Sequence, residues 1–183
     1  SQPYIESKIA FSWVLTIPGA PVLYMGDEYG VYGGSDPDNR HSFRRGDQLN
    51  SNEQQLASFV QELGNIRQQS NDLQEGTYRS IFSDETLLVF ARETANSETV
   101  VLINSGETSR EVSLNYESDI FYRNYLEVRS NLSFSLIEES LAFTVNSNDF
   151  SIYVKNIIAE NNGSINDTNE NTEDHTAISM SAR

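Results

Sequence analysis

The apolar residues of this chain change their spacing near Gly76, from a helical period before it to alternation at every second residue after it. A helix buries one face when apolar residues recur three and four positions apart, and a strand buries one face when they alternate. The two periods do not suit one kind of element. The chain is therefore predicted to join an α/β segment to an antiparallel β segment.

The first segment reads as a helix, a buried strand, a long polar loop and a second helix. Residues 5–17 are apolar around most of the helical circumference, which indicates burial on more than one side. The apolar run 22–25 is typical of a strand covered on both faces. Ser51 and Gln54 fit a capping box that opens the second helix. The stripe of that helix expected to face a core contains Leu56, Phe59, Val60, Leu63 and Ile66. A single unit of this kind cannot bury both faces of its strand, so the rest of its sheet must lie elsewhere.

Short apolar runs separated by turn-forming clusters make up the second segment. The runs are 87–91, 100–103, 141–145 and 150–154. Several short strands at this spacing are typical of an antiparallel β-sandwich. After Ile158 the residues are mostly Asn, Asp, Glu, Ser and Thr, so 157–183 is predicted to be an acidic, disordered tail. The predicted division of the chain is thus 1–73, 74–156 and 157–183.

The composition excludes several classes of function. Lys and Arg number 12 against 27 Asp and Glu, which gives a net charge of −15. Such a chain lacks the basic footprint that nucleic acids require, and anionic membrane surfaces are disfavoured for the same reason. The absence of cysteine removes disulfides, zinc–thiolate sites and thiol nucleophiles. No apolar run approaches the length of about 20 residues that spans a membrane.

The densest group of chemically capable side chains lies in the loop 26–45, directly after the predicted buried strand. In parallel α/β architectures substrates bind at this end of a strand, although any exposed loop can be polar. Asp36 and Arg40 lie four residues apart on a loop stiffened by Pro37. They could bind neighbouring hydroxyl groups through charge-assisted hydrogen bonds. A simple exposed salt bridge is the alternative.

The other ionisable residues of the loop are weaker candidates. Asp27 and Glu28 are adjacent, and adjacent residues leaving a strand point to opposite sides, so they suit a facing acid and nucleophile poorly. A structural role is favoured for both, as a cap of the loop or a partner of an arginine. His41 has no His or Cys nearby and His175 falls in the tail, so we expect no metal site.

Two stretches of this loop, read in order, resemble a known family. "PGAPVLYMGDEYG" from Pro18 to Gly30, followed by "GGSDPDNR" from Gly33 to Arg40, resembles the last βα unit of the α-amylase family, glycoside hydrolase family 13. The resemblance looks closest to the neopullulanase and cyclomaltodextrinase-like members. It implies that residues 1–73 are the last βα unit of a (β/α)₈ TIM barrel and that an antiparallel β-sandwich domain follows. The continuation "HSFRRGDQLN" departs from the usual pattern of the family.

The resemblance also implies an activity, which is retaining hydrolysis of α-glucosidic bonds in carbohydrate metabolism and starch degradation. In the family the catalytic carboxylates come from strands that would precede Ser1. We therefore expect this chain to be the C-terminal portion of such an enzyme, without catalytic residues and inactive alone. Asp36 and Arg40 match positions that bind glucose units of an α-glucan or maltooligosaccharide, while Glu28 matches an acid of the family's last conserved region that is mainly structural.

Further expectations concern cofactors, location and an alternative function. No cofactor is expected, and the ligands of the calcium that many relatives bind would lie mostly upstream. A periplasmic or extracellular location is favoured over a cytoplasmic one. The alternative function is a non-catalytic carbohydrate-binding or interaction β-sandwich module. Its candidate sugar-stacking residues, which could equally be ordinary strand packing, are Tyr116, Phe121, Tyr122 and Tyr125.

Overall fold

Helices lead into two antiparallel sheets in the computed structural model, which describes residues 3–95, 97–115, 124–129, 132–135 and 140–156. The helices are α1 (Ile5–Val14), α2 (Ser51–Gln69) and α3 (Asn71–Glu75). The strands are β1 (Thr77–Ser83), β2 (Leu87–Glu93), β3 (Glu98–Asn104), β4 (Arg110–Asn115), β5 (Asn124–Glu127), β6 (Leu132–Ser135), β7 (Ser140–Val145) and β8 (Asp149–Asn156). Short 3₁₀ turns occur at Asp27–Tyr29 and Gly46–Gln48. The predicted tail lies outside the described residues.

The prediction of α2 is confirmed in its apolar stripe but wrong in its capping pair. Leu56, Val60 and Leu63 are buried. The carboxamide oxygen of Asn50, rather than the Ser51 hydroxyl, accepts from the N–H of Glu53 at 3.1 Å. The Glu53 carboxylate returns the contact by accepting from the Asn50 N–H at 2.8 Å. A carboxylate is a stronger acceptor than the Gln54 amide and is favoured by the positive end of the helix dipole, so this register prevails.

The prediction of a strand at 22–25 is not confirmed. The segment pairs with no strand in the described part of the chain, and Val22 is 85% exposed. Tyr24 and Met25 are also exposed. A strand exists only where a neighbour takes its backbone hydrogen bonds, and the described sheets are built from later residues. The segment is therefore apolar in composition but largely exposed in this structure.

The two sheets confirm the antiparallel prediction for the second segment. The larger sheet has six strands in the order β1-β2-β3-β8-β5-β6, and β4 pairs with β7 in a two-stranded sheet. Each recorded pair is antiparallel, with Val89 opposite Leu102 and Val101 opposite Ile152. The predicted apolar runs correspond to β2, β3, β7 and β8.

The large sheet is buried on both faces by different partners. Leu87, Val89 and Ala91 pack with Phe143 and Val145 of the small sheet. On the opposite face, a second cluster joins the sheet to the helices. Its members include Leu15, Leu56, Leu63, Phe90, Val101, Ile103 and Ile152. The helical segment and the sheet thus share a core, which sets the position of the loop 26–45. Among the described residues, no helix is long and apolar enough to cross a membrane.

Candidate functional site

The first turn of the loop is closed by Asp27 and Glu28. The Asp27 carboxylate accepts from the N–H of Tyr24 at 3.0 Å, and the Glu28 carboxylate accepts from the N–H of Gly26 at 2.8 Å. Gly26 has φ +98°, a conformation that favours glycine, and a Cβ there would lie 2.8 Å from a Val31 methyl carbon. Both carboxylates are therefore occupied by the backbone of their own turn.

The tip of the loop presents the predicted pair to solvent. The Arg40 Nε lies 2.5 Å from the Asp36 Oδ1, and the two side chains are 72% and 60% exposed. Beside them, the Asp38 carboxylate accepts from the N–H of Gly34 at 2.7 Å. The pair thus offers carboxylate acceptors and guanidinium donors side by side, which is the combination that binds adjacent hydroxyl groups.

The end of the loop is attached to α2 by a contact that the sequence reading missed. The Arg44 guanidinium donates to both carboxylate oxygens of Glu53, at 3.1 Å and 2.7 Å. It also lies 5.2 Å from the centre of the Tyr29 ring. The backbone N–H of Arg44 donates to the Tyr29 hydroxyl at 3.0 Å. The spacing of Asn50 and Glu53, which also fits a capping box, was the available signal that Glu53 lies at a helix start.

This contact keeps both partners charged. The hydrogen bond from Arg44 is the main cause that holds the pKa of Glu53 below its ordinary value, and the Asn50 N–H adds to it. The same hydrogen bond raises the pKa of Arg44. An ion pair is therefore expected between these residues at neutral pH and well below it.

A cavity of about 590 Å³ lies beside the loop and is bounded by the same ion pair. Its lining includes Tyr4, Tyr32, His41, Arg44 and Glu53. The His41 and Tyr32 rings are tilted by 51° to each other, with 6.5 Å between their centres. In the part of the chain that the structure describes, no group of three or more metal-ligating acids or histidines occurs.

The structure thus brings Asp36 and Arg40 together at the tip of the loop and places Asp27 and Glu28 in its first turn. Of the aromatic residues considered for sugar stacking, Tyr116, Phe121 and Tyr122 lie outside the described residues, as does His175. Tyr125 belongs to β5.

Curated proteins similar to this chain are enzymes of α-glucan metabolism by name. A β/α-amylase of Paenibacillus polymyxa is 31% identical over 105 residues, which are 57% of this chain and 8% of that protein. A cyclomaltodextrin glucanotransferase of Klebsiella oxytoca is 30% identical over 120 residues, which are 60% of this chain and 18% of that protein. The chain therefore spans less than a fifth of either relative. No protein-family model matches it.

Solved structures of similar proteins share the fold. An α-amylase from Geobacillus thermoleovorans, complexed with acarbose, matches with a TM-score of 0.76 at 20% identity. That match covers 86% of this chain and 34% of the amylase. A cyclomaltodextrinase matches with a TM-score of 0.71 at 19% identity over 85% of this chain and 26% of its own.

These relatives agree with the resemblance carried by the loop motifs, and they do not favour the non-catalytic module. The matched proteins are enzymes, and the shared part is their C-terminal portion. The homologues of this chain are α-amylases, cyclomaltodextrinases and amylopullulanases of glycoside hydrolase family 13.

Proposed function

We propose that this chain is the C-terminal portion of a retaining α-glucan hydrolase of the α-amylase or neopullulanase type. In this proposal the loop 26–45 binds glucose units, and preceding parts of the same protein supply the catalytic carboxylates. The observation that supports it most is the exposed Asp36–Arg40 pair on a loop attached at both ends. The names of the homologues support the substrate class.

The segment 22–25, which pairs with none of the described strands, supports a barrel that extends beyond this chain. Val22, Tyr24 and Met25 are exposed although their composition is that of a buried strand, and Trp13 is half exposed. A neighbouring barrel strand would pair with the backbone of the segment, and barrel helices would cover its side chains. Residues 1–73 would then be the last βα unit, and 74–156 the trailing β domain.

The contacts of the loop carboxylates support a role in binding rather than in bond cleavage. Retaining hydrolysis needs two carboxyl groups about 5–5.5 Å apart on opposite sides of the sugar. Asp27 and Glu28 instead accept from backbone N–H groups of their own turn, and Asp36 pairs with Arg40. The proposal therefore assigns binding to this loop and expects the chain alone to be inactive.

The test compares the 183-residue chain with the protein encoded by its complete reading frame, both incubated with maltoheptaose. The complete protein should release reducing ends with retained α configuration, measured by NMR, and the chain alone should release none. Asp36→Asn and Arg40→Lys in the complete protein should raise KM about tenfold, which is about 1.4 kcal/mol of lost binding. Asp47→Asn, an exposed acid outside the tip, is the matched control and should leave KM unchanged.

Hydrolysis by the 183-residue chain alone would contradict the proposal, because it would place catalytic groups within these residues. An unchanged KM in both tip variants would contradict the assigned role of Asp36 and Arg40. Retention of the chain on starch, with no hydrolysis by the complete protein, would favour the non-catalytic module.

A further inference from the structure

The two ends of the loop meet at one buried aromatic ring. Tyr29, which is 2% exposed, stands where the loop leaves its first turn. Its hydroxyl accepts from the backbone N–H of Arg44, fifteen residues later. The chain between them is therefore closed into a loop. Its two stems, the segments at Tyr29 and at Arg44, lie side by side.

The stem at Arg44 is then attached to α2 by a two-point contact. Each carboxylate oxygen of Glu53 accepts one hydrogen bond from the Arg44 guanidinium. Glu53 is 7% exposed and also accepts from the Asn50 N–H, so it connects the loop to the start of the helix. A fork of two parallel hydrogen bonds fixes orientation as well as distance, which a single-point ammonium contact cannot do.

The tip, by contrast, is held by contacts among its own residues. The Asp38 carboxylate accepts from Gly34, the Asp38 N–H donates to the Ser35 carbonyl, and Arg40 pairs with Asp36. These bonds shape the tip but do not place it on the body of the molecule. Its position relative to the helices therefore depends on the stems.

We infer that Arg44 and Glu53 are positioning residues that fix the loop carrying the Asp36–Arg40 pair relative to α2. The inference rests on the proposed function for the identity of the ligand, a glucan. The ordering of the loop by this ion pair does not depend on that function and can be measured separately.

The first experiment measures amide hydrogen exchange of residues 33–43 in the complete protein. Arg44→Ala and Glu53→Gln should each accelerate exchange there about tenfold, because the stem is released from the helix. Arg44→Lys should restore only part of the protection. The matched control is Arg45→Ala, which removes a neighbouring guanidinium that lies over the Phe43 ring and should leave exchange unchanged.

The second experiment uses the complete protein acting on maltoheptaose. Arg44→Ala and Glu53→Gln should raise KM about tenfold with kcat changed less than about twofold, because the binding pair is misplaced while the catalytic groups are not. Asn50→Ala is the control for helix destabilisation, since it weakens the start of α2 without removing either charged partner. It should lower Tm and leave KM unchanged.

Unchanged exchange in both Arg44→Ala and Glu53→Gln would overturn the inference. Equal KM changes in Asn50→Ala and Glu53→Gln would also overturn it, since they would show a general effect of helix stability. If the unsubstituted complete protein does not hydrolyse glucans, the proposed function fails, and the exchange experiment alone decides whether the pair orders the loop.

Discussion

At the scale of single residues, two buried arginines bind the backbone of the segments that follow the helices. Arg67 donates to the carbonyl oxygens of Leu15, Ile17 and Gly19 just after α1, at 3.0, 3.1 and 2.6 Å. Arg92 donates to the carbonyl oxygens of residues 16, 73 and 76. Burial lowers the pKa of both arginines. They satisfy buried carbonyl groups of the segment after α1 and of the C-terminal part of α3 with Gly76, where no described helix or strand supplies a partner.

Asp72 is a buried acid that, like these arginines, satisfies several polar groups, and its removal should destabilise the fold. Its buried carboxylate accepts from the hydroxyls of Thr94, Ser97 and Thr99. Asp72→Ala leaves these hydroxyls without their acceptor and should lower the free energy of unfolding by about 3 kcal/mol. Urea denaturation measures the change. The exposed Asp47→Ala is the control and should stay within about 0.5 kcal/mol, and an equal loss in both variants would contradict the account.

At the scale of elements, the start of α2 shows how two overlapping patterns are resolved. Asn50 with Glu53 and Ser51 with Gln54 both fit a capping box, and the structure uses the first. The Gln54 side chain donates to the Leu49 carbonyl at 2.9 Å instead. The helix thus begins where an acid can occupy its third position, which the helix dipole favours.

Because the capping box is formed by Asn50 and Glu53, substitutions of Asn50 and Ser51 should have unequal effects on the free energy of unfolding. Asn50→Ala removes the acceptor for the N–H groups of Asn52 and Glu53 and should lower the free energy of unfolding by about 1 kcal/mol. Ser51→Ala should change it by less than about 0.5 kcal/mol, because this side chain is exposed inside the first turn. Thermal denaturation followed by circular dichroism compares the two. The opposite order would mean that the cap lies at Ser51.

At the scale of the whole molecule, a charged contact joins the two sheets. The Asp84 carboxylate, in the turn between β1 and β2, accepts from Arg110 of β4 at 2.7 Å. Its pKa lies below its ordinary value, mainly because of that hydrogen bond and then because of the N–H groups of Thr86 and Leu87. The contact therefore couples the packing of the sheets to the protonation of this carboxyl group.

The sign of the resulting pH dependence follows from the lowered pKa. Below the ordinary pKa of aspartate, about 3.9, the unfolded chain binds the proton more readily than the folded one, so stability falls with acid. The contribution of Asp84 should be complete above about pH 5 and lost progressively as the pH falls toward the folded pKa. Urea unfolding at several pH values should show that the free energy of unfolding of Asp84→Asn falls less steeply with decreasing pH than that of the unsubstituted chain. An identical slope in both proteins would contradict this assignment.

The sequence by itself determined the elements whose signals are local. The stripe of α2, the short apolar runs of β2 and β3 and the alternation in β7 and β8 were predicted directly, because these patterns depend on neighbours a few residues away. The position of Asp36 and Arg40 on one loop, four residues apart, could be read in the same way. The prediction of the helix cap was wrong because two local patterns overlapped, one starting at Asn50 and one at Ser51.

Only the tertiary structure decided which surfaces and side chains meet across the chain. It assigned one face of β2 to the small sheet and the other to the helices, although residues 87–91 are apolar on both faces. It joined Arg44 to Glu53 and Arg92 to the Thr16 carbonyl just after α1, and within the described ranges it gave 22–25 no partner strand. Such contacts depend on segments far apart in the chain, so no period or spacing within one segment contains them.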